Sequence, residues 1–147
     1  MRVIYVVVGF RPGYPEISSR NSAFTGLKSS GAFDDAEQIK IHPAVAPLPE
    51  DIIVTKHRVG AFGGTDLDMV LRANDVETLI LTGIATSGVV LSTLRHAADA
   101  DYNLLVAGDC CSDRDDEVHR VLLEKVFPRQ AIVTTAAMLG QAITAGR

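Results

Sequence analysis

Nothing in this chain of 147 residues approaches the ~18–20 consecutive apolar residues that a helix needs to cross a bilayer, so a membrane-spanning role is excluded as the sequence reads. Excess positive charge is missing too. The net charge of −4, with a pI near 5.5, argues against the electrostatic footprint of a nucleic-acid-binding protein. Cysteine is scarce: Cys110 and Cys111 are adjacent and cannot staple distant parts of the chain. Two reduced, mostly buried thiols are therefore expected, as in a cytoplasmic protein. The N-terminal segment MRVIYVVVGFRPG lacks the layout of a cleavable signal. Proline is nearly absent outside one stretch, with five of the six prolines falling between Arg11 and Pro49.

What is present is apolar and periodic. Hydrophobic residues make up 47% of the chain and charged residues 22%, a balance that fits one globular domain over residues 1–147. Five short runs have the spacing of strands: Val3–Phe10, Ile52–Lys56, Glu77–Ile84, Asn103–Gly108 and Ala131–Thr134. They are continuously apolar rather than alternating, which suits a parallel sheet covered on both faces. Helical patterns lie between them. Thr65 reads as an N-cap ahead of Leu67 and Asp68, followed by MVLRAN. Thr86–Asp99 places Val89, Val90, Leu94 and Ala97 on an apolar stripe. Asp115–Phe127 starts acidic, carries Val118, Leu122 and Val126 at helical spacing, and stops at Pro128. Strands alternating with helices predict a doubly wound α/β fold, a three-layer α/β/α sandwich around a mostly parallel sheet.

The stretch Arg11–Pro49 reads as a long excursion at the carboxyl end of the first strand, with a weak helical signal around Phe33–Ile39. Open α/β sheets bind ligands at that edge. A partner-binding loop or a space-filling one fits the composition equally well.

The segment Leu79–Thr93, LILTGIATSGVVLST, is the most informative. A buried strand runs through a Gly-containing turn directly into a helix. The first amides of such a helix are donors backed by a positive dipole end, and they suit an anion or a developing oxyanion. No obvious nucleophile with a base stands at the turn. Thr86 and Ser87 are the nearby hydroxyls and read as helix caps. The four histidines offer no base at a recognisable spacing: His42 precedes Pro43, His57 lies in an exposed Lys-His-Arg run, and His96 and His119 fall on helix surfaces.

Three blocks in order resemble the isochorismatase-like hydrolases, also called cysteine hydrolases. They are DIIVTKHRVGAFGGTDLDMVLR, GIATSGVVLSTLRHAADADY and LLVAGDCCSD. The resemblance covers nearly the whole chain and implies chemistry by an Asp, a Lys and a Cys, with two backbone amides holding the oxyanion. The Lys falls on Lys56, the oxyanion amides on Ala85 and Val89 with Thr86 between them, and an unusual cis peptide between Ile84 and Ala85. The nucleophile's own position is Val89, which cannot attack anything. The Asp belongs to a central strand that the resemblance places ahead of Val3–Phe10 and that is not in this sequence. Its absence leaves three resolutions: a shortened version of a longer protein, a gap filled by a partner chain, or direct pairing of Val3–Phe10 with Glu77–Ile84. The expected strand order is then Ile52–Lys56, Val3–Phe10, Glu77–Ile84, Asn103–Gly108, Ala131–Thr134.

Metal-binding members carry an Asp and histidines after the second strand, whereas GFRPGYPEISSRN has none in that pattern; no metal and no cofactor are expected. Arg11, Tyr14 and Arg20 could supply a carboxylate-binding rim, with Phe62 beside them as a further rim residue. The resemblance thus implies a hydrolase-like protein with a degenerate site for a small anionic or amide ligand, forming a homo-oligomer (dimer or tetramer). The alternative is a non-catalytic anion-binding or assembly module of the same fold.

Overall fold

A computed structural model describes residues 1–33 and 40–145. The chain divides into two compact units, Met1–Arg58 with Gly63–Leu67, and Val59–Phe62 with Asp68–Arg147.

In the first unit, β1 (Ile4–Val8) and β2 (Ile52–Lys56) form a parallel pair, in register from Ile4 opposite Ile52 to Val8 opposite Lys56. The Gly9 amide extends the ladder by donating to the Lys56 carbonyl at 3.1 Å. Between the strands lies α1 (Ser22–Ser29), a helix that no apolar periodicity in SAFTGLKS announces. Asn21 caps it, its side-chain oxygen accepting from the Phe24 amide at 3.2 Å, and Phe24 is buried. Of the helical signal at Phe33–Ile39, all but Phe33 lies outside the described residues.

The second unit is built on three parallel strands in the order β3 (Thr78–Ile84), β4 (Asn103–Ser112), β5 (Ile132–Thr134). The central strand β4 carries the apolar run that a strand flanked on both sides requires, and Leu104, Val106 and Ala107 are buried. Helix α2 (Leu67–Ala73) starts where Thr65 caps it, the Thr65 hydroxyl accepting from the Leu67 amide at 3.2 Å. After β3 comes a π-helical turn at Thr86–Val90 and then α3 (Leu91–Asp99), which buries Leu94 and Ala97 completely. Helix α4 (Asp116–Val121) continues through a π-helical turn at Leu122–Val126 to a 3₁₀ turn at Phe127–Arg129. The last helix, α5 (Ala136–Ala145), is capped by Asp109, whose carboxylate accepts from the Ala136 amide at 2.9 Å.

Two sequence expectations need correcting here. Val3–Phe10 does not pair with Glu77–Ile84: β1 belongs to a two-stranded sheet with β2, and β3 to a separate three-stranded sheet. Within each sheet the expected neighbours hold, β2 beside β1 and β3, β4, β5 in sequence. Val118 is 39% exposed rather than buried; Leu122 and Phe127 carry the apolar face of that segment.

The candidate anion site at the β3 turn

The turn after β3 is shaped by what β4 does beside it. Their register runs evenly to Leu81 opposite Val106, then jumps so that Gly83 faces Cys111 and Ile84 faces Ser112. The residues bulged out of β4 between Val106 and Cys111 include Asp109, which is thereby free to cap α5. Gly83 meets the irregularity with a φ of +131°, which a side chain rarely adopts. The extension of β4 also delivers Asp113 to the turn.

The Ile84–Ala85 peptide is cis, where the resemblance placed it. The backbone then enters the π-helical turn, a rare geometry often found at functional sites. Its amides divide into two groups. The Gly88 and Val90 amides both donate to the Ala85 carbonyl, at 3.0 and 3.3 Å. The Ser87 amide donates to Asp113 Oδ2 at 2.6 Å. The Ala85, Thr86 and Val89 amides belong to the same turn. Ala85 and Val89 are half-buried.

The hydroxyls are committed as well. Thr86 is fully buried, and its Oγ1 is hydrogen-bonded to His119 Nδ1 at 2.8 Å. His119 is half-buried and faces the turn, not an exposed helix residue as the sequence suggested. Ser87, through its hydroxyl and its amide, holds the Asp113 carboxyl below its ordinary value, helped by the Arg114 and Asp115 amides. A carboxyl whose native pKa is depressed adds stability above its unfolded pKa near 3.8 and loses it as pH falls toward the native value. Asp113→Asn is therefore expected to flatten the acid side of the stability curve. Urea melts at pH 3 and pH 6 check this, the gap between them being smaller in the variant than in the parent.

Lys56 lies in the first unit, at the carboxyl end of β2. Its ammonium donates to the Arg58 carbonyl at 2.8 Å, and burial pushes its pKa down. No carboxylate lies within ion-pair distance of it among the described residues. Nearby, His57 is half-buried rather than exposed, its Nδ1 bonded to the Gly9 carbonyl at 2.5 Å.

The rim residues fare differently. Arg11 is paired with Glu16, its Nη1 lying 2.6 Å from Oε1, so its charge is already matched. Tyr14 is half-buried on the loop after β1, and Arg20 is exposed. Phe62, in the second unit, is 6% exposed, and its ring is stacked on His96 with centroids 4.3 Å apart. Of the two thiols, Cys111 is buried and its pKa raised by that burial, whereas Cys110 is exposed, a correction to the expected pair of buried thiols.

A sequence model of the isochorismatase domain matches residues 1–138. An isochorismatase family protein of Escherichia coli O157:H7 is 40% identical over 93 residues, covering 63% of this chain and 50% of that protein. The ureidoacrylate amidohydrolase RutB of Methylobacterium radiotolerans is 36% identical over 132 residues, covering 83% of this chain and 49% of its own length. The chain thus spans about half the length of the curated relatives it matches. Among solved structures, an isochorismatase family protein from Burkholderia thailandensis superposes with a TM-score of 0.78 at 33% identity, over 93% of this chain and 70% of that one. A cysteine hydrolase from Pseudomonas syringae pv. phaseolicola reaches a TM-score of 0.90 at 25% identity, over 99% of this chain and 73% of that one.

Proposed function

The chain belongs to the isochorismatase family, and on that footing we propose that it keeps the family's oxyanion turn as a binding site for a small anionic or amide ligand, without the covalent step. The observation that carries this reading is the division of the turn's hydrogen-bonding groups. Asp113 and the Ala85 carbonyl occupy the Ser87, Gly88 and Val90 amides, which supports the Ala85 and Val89 amides of the same turn as the donors to a ligand oxygen. A backbone donor pair at the start of a helix favours a carboxylate or an amide carbonyl oxygen.

Covalent catalysis has no agent at this turn. Val89 carries no lone pair, the Thr86 hydroxyl is buried on His119, and Ser87 holds Asp113. Lys56, in the first unit, is the member of the reactive set that the resemblance finds kept, and it is half-buried with its pKa lowered by burial. The amidohydrolase relatives point to ureidoacrylate and related amides as the first ligands to try.

A turnover screen of the purified chain against ureidoacrylate, maleamate, simple carboxamides and isochorismate tests the reading, with Lys56→Met as the companion variant. No product above the uncatalysed background is expected from either protein. Product from the parent that falls by roughly 100-fold in Lys56→Met, the scale of losing one transition-state charge contact, would overturn it.

A further inference from the structure

Aromatic residues are few, five phenylalanines and three tyrosines with no tryptophan, yet three phenylalanines and one tyrosine gather at one place in the first unit. Phe10, on the loop just after β1, has its ring centroid 5.9 Å from Tyr14, 5.7 Å from Phe24 and 4.7 Å from Phe33. Phe24 is 4% exposed and belongs to the packed interior, while Phe10, Tyr14 and Phe33 keep part of their surface open. Those three line a cavity of about 250 Å³ together with the Gly9–Gly13 loop.

The loop is held in place from several sides. His57 bonds the Gly9 carbonyl, Arg58 reaches the Glu16 carbonyl at 3.1 Å, and the Tyr14 amide closes a turn onto the Arg11 carbonyl at 2.9 Å. Tyr14 itself sits at φ +58°, next to Gly13 at +81°. A bulky residue is a true outlier in that region, and such outliers cluster at ligand sites. The Lys28 ammonium lies 5.1 Å from the Tyr14 ring centroid and steadies it.

Charge does not define this cavity. The one guanidinium in its wall, Arg11, is paired with Glu16, and the Arg11 amide points at the same carboxylate. What remains for a ligand is ring surface and volume. A cavity of ~150 Å³ lined by apolar side chains already accepts benzene, so 250 Å³ holds a six-membered ring with one small substituent. Aromatic walls favour a flat ring, which can stack or meet them edge to face at every contact.

We propose that the cavity formed by Phe10, Tyr14 and Phe33 is a binding site for a planar aromatic ring. It is independent of the reading of the β3 turn, because ring binding here requires neither the turn nor turnover.

Calorimetric titration with benzamide and with its saturated counterpart, cyclohexanecarboxamide, tests it. Saturable binding of benzamide at least 10-fold tighter than the saturated amide is expected. Tyr14→Gly is the decisive variant: glycine adopts φ +58° without strain, so the backbone and the melting temperature should hold while benzamide affinity falls 10-fold or more. Tyr14→Asn, also tolerant of that backbone, should behave alike. Absent benzamide binding, equal binding of the two amides, or unchanged affinity in a folded Tyr14→Gly variant would each overturn the proposal.

Discussion

Phe127→Ala should bring the protein close to unfolding. Among the described residues Phe127 is the largest fully buried side chain, with no exposed surface. Truncating a buried phenylalanine costs about 3–5 kcal/mol, because the transfer energy of the ring is lost and the cavity collapses only in part. The whole margin of a domain is about 5–15 kcal/mol. Position sharpens the effect. Phe127 opens the 3₁₀ turn that ends the α4 segment, and its carbonyl accepts from both the Gln130 and Ala131 amides at 2.9 Å, which starts the chain toward β5. A loosened Phe127 therefore frees the carboxyl end of the segment that presents His119 to the turn. A thermal melt followed by circular dichroism checks this. Phe127→Leu, which keeps most of the volume, is expected to lose less than half as much, and equal losses would point away from packing as the cause.

Thr86→Val is the second large effect, and it acts at the site. The substitution preserves shape at a fully buried position but removes the hydroxyl that bonds His119 Nδ1 at 2.8 Å. A ring nitrogen left without its partner in a half-buried place costs about 1–3 kcal/mol. For a chain of this length that is a drop of several degrees in melting temperature. The double variant Thr86→Val with His119→Phe, lacking both polar partners, should recover part of the loss. Such recovery distinguishes an unsatisfied group from poor packing of valine, and its absence would mean that the hydrogen bond contributes little.

The strands were legible because burial on both faces writes itself as unbroken runs of Val, Ile and Leu. Ile52–Lys56 was read to the residue, while β1 proved shorter than Val3–Phe10 at both ends. β4 runs on to Ser112 past its apolar stretch, because the bulge opposite Gly83 lets GDCCS continue the strand without an apolar pattern. α1 and α5 were missed for a local reason. SAFTGLKS and AAMLGQAITA each carry a central glycine and no clear polar face. The cis peptide and the donor positions of Ala85 and Val89 came from the resemblance, since no periodicity signals them. His119 on Thr86 and Asp113 on Ser87 span 33 and 26 residues of sequence. Contacts at that range are set by how β4 and α4 pass the turn, and a single sequence gives no sign of it. The expected join of Val3–Phe10 to Glu77–Ile84 failed for a similar reason: apolar strands declare that they will pair, not with which neighbour.

The central claim is that the turn binds a ligand oxygen through two backbone amides and does no covalent chemistry. Its most direct test follows the backbone amide resonances of residues 85–90 by NMR during titration with ureidoacrylate. Saturable shifts are expected at Ala85 and Val89, with Ser87 moving far less because Asp113 already holds its amide, and the ligand spectrum stays unchanged throughout. Saturation of the ligand with Ala85 and Val89 unmoved, or the appearance of product resonances, would contradict it.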